Sequence, residues 1–276
     1  GADGVLGQLY EKVDEQYLEA AGPQLKIDAN FAVGTDNLDF PARSSHNVIG
    51  TNTPDVLTEA VAEHTFSLIM TITRRIVEAD KLARTQPSSF GPEVLLGMEL
   101  KGKTLGVLGL GRIGSRVAEI GKAMGMDVVY YDIKQNPEFE QKVGAQFKAT
   151  PDELLSTSDV VSVHVPLLDS TKHLINSERL KLMKPTAYLV NTSRGPVVAE
   201  AELVEALKNK VIAGAALDVG ETEPKWAEGL VDLSNVVLTP HIASATLEAR
   251  CAMGELAAKN IIEVLSGRSP LTSVQA

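Results

Sequence analysis

Three polar side chains that could carry out chemistry together each follow a separate apolar run. Arg194 follows "AYLVNTS", Glu223 comes a few residues after "AGAALDV", and His241 follows "NVVLTP". A guanidinium can pair with a carboxylate and polarise the adjacent carbonyl, and an imidazole can supply a proton. A carboxylate beside the imidazole favours its protonated form. These residue types suit hydride transfer to a 2-oxo acid.

Each of these residues also has an ordinary structural interpretation. Arg194 in "SRG" could be a surface turn residue, Glu223 a solvated loop acid, and His241 a strand-end histidine bonded to a backbone carbonyl. Their joint position after three strands favours the chemical interpretation. The other histidines fit structural or surface positions better; they are His46, His64, His164 and His173.

The stretch "VLGLGRIGSRVAEIGKAMGMDVVYYD", residues 107 to 132, joins an apolar run to a helical pattern through three glycines. A backbone without side chains at Gly109 and Gly111 can approach a phosphate closely, and Gly114 lets the helix pack on the strand. The helix N-terminus then offers N–H groups to an anion. Asp132 ends the next apolar run, where a dinucleotide-binding unit places the acid that takes the ribose hydroxyls. The stretch predicts a nicotinamide or flavin dinucleotide site.

The elements that must position these residues alternate along the chain. Short β-branched runs and helical segments follow one another, which predicts an α/β protein with a parallel sheet covered by helices. Because parallel strands present their carboxyl ends to one edge, the three polar side chains are expected to meet there. A smaller set of strands precedes one long helical pattern over residues 59–85, and a final helix is expected to return to that first domain.

Composition restricts the class of protein further. With 276 residues and 44% hydrophobic content, the chain suits two domains with substantial cores. The net charge of −10 argues against a nucleic-acid partner. No apolar run approaches the roughly 18 residues of a membrane span, and no signal-type stretch is visible, so a cytoplasmic location is expected. Cys251 is the only cysteine, which excludes internal disulfides and a cysteine-based metal site, and no metal is expected.

Several motifs resemble, in order and spacing, the D-isomer-specific 2-hydroxyacid dehydrogenases. They are "GLGRIG", "HVPL", "LVNTSRGPVV", "AGAALDV" with the following "EP", and "LTPHIASAT". "NFAVGTDN" and "TNTPDVLTEA" are most similar to the glyoxylate/hydroxypyruvate reductase branch. The resemblance implies a Rossmann coenzyme domain inserted into a flavodoxin-like substrate domain. We therefore expect a substrate domain over residues 1–52, an NAD-binding domain over 53–245, and a C-terminal helix over 246–276 that returns to the substrate domain.

The resemblance also implies a role for each matching residue. Arg194 would bind the substrate, His241 would be the acid/base, and Glu223 would pair with His241. The backbone of Val33 and Gly34 would receive the substrate carboxylate. In the NAD(H) site, the turn would consist of Gly109, Gly111 and Gly114, with Arg112 and Ile113 beside the pyrophosphate and Asp132 on the ribose. The adenine side would be lined by Val165, Pro166 and Thr171, and the nicotinamide end would be held by Thr192 and Asp218.

The activity that this resemblance implies is NADH-dependent reduction of glyoxylate or hydroxypyruvate to the D-2-hydroxy acid. Asp132 favours NADH over NADPH, because a carboxylate would repel a 2′-phosphate. Two alternatives remain: an NAD(H)-sensing protein similar to the related transcriptional co-repressors, and another D-2-hydroxyacid dehydrogenase, acting on D-lactate or D-3-phosphoglycerate. Gly220 stands where the family has an aromatic residue, and we expect it to loosen the loop that carries Glu223.

The resemblance further implies a homodimer and a longer natural protein. The helical pattern from Glu59 and the loop "TQPSSFGPEVLLGMEL" would form the dimer contact, with Phe90 reaching toward the neighbour. Family members begin with one further strand–helix–strand unit before "GADGVLG". We therefore expect the N-terminal part of the substrate domain to be missing from these 276 residues.

Overall fold

The computed structural model describes residues 1–85 and 91–274, in two compact units. One unit comprises Gly1–Ala60 and Ser244–Ala276, and the other comprises Val61–Ala243. The chain therefore divides at 60/61 and 243/244, eight residues after and two residues before the boundaries expected from the sequence at 52/53 and 245/246. Phe90, expected at a dimer contact, lies outside the described residues.

The first unit is built on a small parallel sheet. Its strands and helices before Ala60 are β1 (Gly4–Gly7), α1 (Glu15–Ala21), β2 (Ile27–Asn30), α2 (Phe40–Ser45) and β3 (Ile49–Thr51). The strands lie in the order β1-β2-β3, and both pairs are parallel. β2 is buried along its whole length, so the loop that follows it starts from a fixed strand end.

The second unit is a parallel sheet with helices between its strands. Its elements in chain order, beginning with the helix that crosses the unit boundary, are α3 (Thr58–Thr73), α4 (Ile76–Thr85), β4 (Thr104–Leu108), α5 (Arg112–Ala123), β5 (Asp127–Tyr131), α6 (Pro137–Val143), β6 (Gln146–Phe147), α7 (Pro151–Thr157), β7 (Val160–Val163), α8 (Ser177–Leu182), β8 (Tyr188–Asn191), α9 (Glu200–Lys208), β9 (Gly214–Leu217) and β10 (Val236–Leu238). After them, α10 (Leu247–Leu265) packs on β1 and β2 of the first unit.

The strand order of the larger sheet is β10-β9-β8-β7-β4-β5-β6, with every pair parallel. The chain runs outward from β4 in both directions, so the switch point lies between β4 and β7. Alternate residues of β8 pack into different cores, Leu189 on one face and Val190 on the other. Both faces are therefore covered, as in a Rossmann fold, and ligands of such sheets bind beyond the strand ends at the switch point.

The helical pattern over residues 59–85 is interrupted, which differs from the single helix expected from the sequence. Arg75 lies between α3 and α4 with a φ of 54°, in the left-handed region. The Thr73 carbonyl accepts the N–H of Met98, at 2.8 Å, in place of a bond from the next helical turn. A Cβ on Gly97 would lie 2.5 Å from that carbonyl oxygen, so glycine allows the approach. A contact distant in sequence therefore ends α3.

In residues 1–85 and 91–274, no helix is both long enough and apolar enough to cross a membrane. The same ranges contain no group of three or more His, Cys, Asp or Glu side chains that could hold a metal ion.

Candidate active site

The glycine turn between β4 and α5 uses each glycine for a different physical reason. Gly109 has a φ of 101°, and a Cβ there would lie 2.8 Å from the carbonyl carbon of His164. A Cβ on Gly114 would lie 2.0 Å from the carbonyl oxygen of Gly109. Gly111 is the N-cap of α5, and a Cβ there would have no neighbour within 4 Å. The turn therefore leaves open space at a helix N-terminus, which fits a phosphate group.

Arg112 and Ile113, expected beside the pyrophosphate, are the first residues of α5. The N-cap residue of this helix is Gly111, which has no side chain to accept a hydrogen bond from the first turn. Backbone N–H groups at an uncapped N-terminus attract an anion, as does the helix dipole. The donor set at this turn therefore fits a dinucleotide pyrophosphate.

Asp132 follows β5 and turns its carboxylate toward the glycine turn. Its Oδ2 accepts the N–H of Leu110 at 2.7 Å, and its Oδ1 accepts the N–H of Ile133 at 2.7 Å. A carboxylate has about four lone-pair sites, so each oxygen can accept one more hydrogen bond. The acid is thus fixed at the strand end with acceptor capacity left, which fits a ribose with two hydroxyls.

The loop after β7 contains the residues expected on the adenine side. Thr171 donates its hydroxyl to the Pro166 carbonyl at 2.6 Å and accepts the N–H of Leu168 at 2.8 Å. Val165 is buried and Pro166 is exposed. Thr171 therefore ties this loop together, and its contact with an adenine stays a prediction.

The nicotinamide-end residues Thr192 and Asp218 make contacts that the sequence analysis missed. The hydroxyls of Thr192 and Thr65 lie 2.8 Å apart. Asp218 is buried, and its Oδ1 lies 3.4 Å from Nε2 of His64. Both partners belong to α3, to which no chemistry was assigned. The helical pattern of α3 carries no local signal for these contacts, because they join residues far apart in the chain.

Asp218 is ionised despite its burial. Burial pushes the pKa of this carboxyl up, but hydrogen bonds from His64, Thr239 and the backbone N–H groups of Ile242 and Ala243 outweigh burial. The pKa of Asp218 therefore lies below its ordinary value. Its backbone carbonyl also accepts the N–H of His241 at 2.8 Å. Asp218 thus holds the turn that carries the expected acid/base.

The expected acid/base pair is in contact. Nδ1 of His241 lies 2.8 Å from Oε2 of Glu223, whose Oε1 accepts the N–H of Gly220 at 3.1 Å. An ionised carboxylate only accepts hydrogen bonds, so Nδ1 carries the hydrogen. The opposite ring nitrogen, Nε2, is then the one available to a substrate.

Arg194 follows β8 and is held by its neighbours. The Asn191 side-chain amide donates to the Arg194 carbonyl at 2.9 Å, and Nη1 of Arg194 donates to the Ser193 carbonyl at 2.8 Å. A Cβ on Gly195 would lie 1.8 Å from the carbonyl oxygen of Gly220. The turn that carries Arg194 therefore touches the loop that carries Glu223.

The expectation that Gly220 loosens this loop stays a prediction, although the Trp226 ring packs beside this glycine. A Cβ on Gly220 would lie 3.1 Å from the Trp226 ring, so that ring occupies the adjacent space. The N–H of Ala227 donates to Oε2 of Glu200 at 3.0 Å, which closes the far side of the loop. The Glu200 side chain is buried, and burial raises the pKa of its carboxyl. An aromatic ring from within the loop therefore packs where a side chain at 220 would lie.

Among the other histidines, His164 fits its structural interpretation. Its ring nitrogen Nε2 lies 2.8 Å from the Ser162 hydroxyl, and burial lowers the pKa of His164 to about 3. The imidazole is therefore neutral near neutral pH and has no proton to deliver as an acid. His173 pairs with Glu221 and His46 with Glu15, at 2.6 and 2.7 Å.

In the first unit, the loop after β2 presents two backbone donors. Asn52 and Asn30 donate their side-chain amides to the carbonyls of Val33 and Gly34, each at 2.9 Å. Within the part of the chain that the structure describes, the N–H groups of Val33 and Gly34 make no hydrogen bond. Two adjacent backbone donors suit a carboxylate. This role for the loop stays a prediction.

Comparison with known proteins agrees with this geometry. A family model described as "D-isomer specific 2-hydroxyacid dehydrogenase, NAD binding domain" matches residues 66–243. The glyoxylate reductase of Thermofilum pendens is 50% identical over 271 residues, which is 97% of this chain and 80% of that protein.

Two solved structures share the fold over nearly the whole chain. The NADPH-dependent glyoxylate/hydroxypyruvate reductase of Sinorhizobium meliloti, in complex with NADP and malonate, is 35% identical with a TM-score of 0.90 and covers 99% of this chain and 84% of that one. The D-lactate dehydrogenase of Aquifex aeolicus, with NAD and lactic acid, is 36% identical with a TM-score of 0.88 and covers 96% and 84%. The chain therefore belongs to the D-isomer-specific 2-hydroxyacid dehydrogenases.

Proposed function

We propose that this protein reduces a small 2-oxo acid, glyoxylate or hydroxypyruvate, to the D-2-hydroxy acid with NADH. Its relatives support the broader activity, NAD(P)-dependent reduction of a 2-oxo acid. The observation that carries the proposal is the 2.8 Å contact between His241 Nδ1 and Glu223 in the unit that holds the glycine turn. This contact supplies an oriented proton donor where a nicotinamide site is expected.

Each polar residue has one step in the reaction. NADH, when bound, supplies the hydride that adds to the carbonyl carbon. Nε2 of His241 gives its proton to the carbonyl oxygen, and Glu223 stabilises the charged imidazole before that transfer. The Arg194 guanidinium pairs with the substrate carboxylate and polarises the carbonyl. Separately, the N–H groups of Val33 and Gly34 in the first unit are proposed donors to a carboxylate.

The residues around the glycine turn would hold the cofactor. Gly111 and the first turn of α5 would bind the pyrophosphate, and Asp132 would accept both hydroxyls of the ribose. Asp218 can contribute at the nicotinamide end, because Oδ2 accepts only the N–H of Ala243 among the described residues and has a lone pair left.

Turnover tests the proposed function directly. Purified protein is mixed with NADH and, separately, with glyoxylate, hydroxypyruvate, pyruvate or 3-phosphohydroxypyruvate, and NADH oxidation is followed. We expect the highest kcat/KM with glyoxylate or hydroxypyruvate, and a D-configured product from hydroxypyruvate. Stoichiometric NADH binding without turnover of any 2-oxo acid would instead support an NAD(H)-sensing protein. Preference for pyruvate or 3-phosphohydroxypyruvate would change the substrate.

Cofactor choice is tested separately, because the Sinorhizobium meliloti relative is NADPH-dependent. We expect kcat/KM to favour NADH by roughly tenfold or more, equal to about 1.4 kcal/mol. The physical reason is repulsion between the Asp132 carboxylate and a 2′-phosphate. Asp132→Ser should reduce the ratio, whereas Asp127→Ser, at the exposed start of β5, should not. Equal or better use of NADPH by the unmodified protein would refute this assignment.

A further inference from the structure

His64, on α3, lies close to Asp218, the residue that holds the turn carrying His241. Its Nε2 lies 3.2 Å from the Thr239 hydroxyl and 3.4 Å from Oδ1 of Asp218. These residues all belong to the second unit. His64 is therefore a long-range contact of the proposed active site, and it reaches that site through Thr239 and Asp218.

The turn over residues 239–243 needs to be held in place. His241 has a φ of 53°, in the left-handed region that a residue with a side chain adopts only at a cost. Asp218 holds this turn at three backbone N–H groups. Its carbonyl accepts from His241, its Oδ1 from Ile242 at 2.9 Å, and its Oδ2 from Ala243 at 2.8 Å. The direction of the His241 imidazole thus depends on the carboxylate of Asp218.

The hydrogen bonds define the role of His64. The Thr239 hydroxyl has one hydrogen, and it donates this to Oδ1 of Asp218 at 2.6 Å. Thr239 must therefore accept at its contact with His64, so Nε2 of His64 carries a hydrogen. The imidazole thereby orients the Thr239 hydroxyl toward Asp218, and Nε2 itself lies 3.4 Å from the same carboxylate oxygen.

We propose that His64 is a positioning residue for the reduction, acting through Thr239 and Asp218 to hold His241 in its left-handed turn, facing Glu223. This inference rests on the proposed function. Thr65, the next residue of α3, contacts Thr192 independently at 2.8 Å. α3 therefore contacts both residues expected at the nicotinamide end, Thr192 through Thr65 and Asp218 through His64. Of these two contacts, the one made by His64 is connected to His241.

Substitutions at position 64 test this role. His64→Leu keeps a similar volume without a donor, whereas His64→Gln places an amide N–H near the position of Nε2. We expect His64→Leu to lower kcat about tenfold, with little change in KM for the 2-oxo acid or in NADH affinity. His64→Gln should keep at least half of kcat, and Ser67→Ala, on the exposed face of α3, should keep all of it.

Coupling to Thr239 separates positioning from general destabilisation. The double variant His64→Leu/Thr239→Val should lose no more kcat than the worse single variant, because both act through Asp218. Additive losses, equal losses in the Leu and Gln variants, or an unchanged kcat in His64→Leu would overturn the proposal.

A second measurement does not need turnover. In histidine-labelled protein, the His241 ring signals, assigned by their loss in His241→Ala, should shift in His64→Leu and Thr239→Val but not in His64→Gln or Ser67→Ala. If the unmodified protein reduces no 2-oxo acid, the proposed function fails, and these spectra still decide whether His64 positions His241. Unshifted His241 signals in His64→Leu would refute that role.

Discussion

His241 is subject to two constraints, one on its backbone and one on its ring. The backbone is left-handed and bonded to Asp218, and the ring is bonded through Nδ1 to Glu223. Together they leave Nε2 as the nitrogen that can meet a substrate. In its proposed role as proton donor, a ring held from both sides would lose little entropy when the substrate binds.

Removal of the His241 ring should abolish proton delivery without emptying the cofactor site. We expect His241→Ala to lower kcat roughly a hundredfold or more, the usual range for a lost acid/base, with NADH affinity nearly unchanged. Stopped-flow turnover and a fluorescence titration with NADH measure the two quantities. The control is His46→Ala, which removes a histidine paired with Glu15 in the first unit. Retained turnover would remove His241 from the mechanism.

Arg194 should not be replaceable by lysine. An ammonium cannot reproduce the planar fork that binds a carboxylate and its neighbouring carbonyl. We expect Arg194→Lys to lower kcat/KM nearly as much as His241→Ala, with a rise in KM for the 2-oxo acid. Arg179→Lys is the matched control and should leave both constants unchanged, because Arg179 lies on α8 in an ion pair with Asp152 of α7. Wild-type kinetics in Arg194→Lys would contradict the assigned role.

At the scale of elements, we expect two glycines of the β4–α5 turn to have different roles, Gly114 in packing and Gly111 in ligand binding. Gly114→Ala puts a Cβ against the Gly109 carbonyl, and we expect it to lower the free energy of unfolding by about 1–3 kcal/mol. Gly111→Ala meets no protein atom, so we expect stability within about 0.5 kcal/mol of wild type. Its NADH dissociation constant should rise about tenfold or more, since the methyl group takes the phosphate space.

Urea unfolding and NADH titration of these two variants distinguish the two roles. The prediction fails if Gly111→Ala binds NADH as wild type does, because the open space would then not be the phosphate site. It also fails if Gly114→Ala unfolds at the wild-type urea concentration, because the contact with Gly109 would then be unimportant.

Asp218, which follows β9, holds the turn that carries His241, and its ionisation should make the free energy of unfolding depend on pH. The folded-state pKa of Asp218 lies below its ordinary value, so its stabilising contribution is present above about pH 4 and is lost as the pH falls through the folded-state pKa. Asp218→Asn should therefore cost about 1–3 kcal/mol at neutral pH, with a difference that shrinks on acidification. Urea unfolding at several pH values measures it, with Asp127→Asn as the exposed control. A constant difference down to pH 3 would contradict the ionised role of Asp218.

The elements that carry the site were predictable where one local pattern determines them. The glycine turn, the acid after β5 and the polar residues after β8, β9 and β10 all follow from strand and turn signals. His64 gave no such signal, because its partners, Asp218 and Thr239, come much later in the chain. The end of α3 could not be predicted for the same reason, because it involves a hydrogen bond from the distant Met98 N–H to the Thr73 carbonyl. Trp226 beside Gly220 likewise required knowledge of the folded loop.

At the scale of the whole molecule, an apolar surface on the second unit needs explanation. Ile76 and Val77 on α4 are each 52% exposed, and Leu96 is 67% exposed. Val94 and Met70 add to the exposed apolar residues of the same part of the chain. Contiguous exposed apolar surface usually marks a contact with another protein, so this concentration of exposed apolar residues in one part of the chain is a candidate for such a contact. The segment coincides with the one that the sequence analysis assigned to a dimer contact.

We therefore expect the protein to be a homodimer that buries α4 and the segment 91–98. Light scattering at micromolar concentration should give twice the mass of one chain. Ile76→Glu combined with Leu96→Glu should yield monomers, because charged side chains would be buried without partners at a self-complementary contact. Val231→Glu, which changes an apolar residue 64% exposed elsewhere on the second unit, should leave the dimer intact. A monomeric mass for the unmodified protein would contradict the dimer, and a dimer of the double variant would place its contact elsewhere.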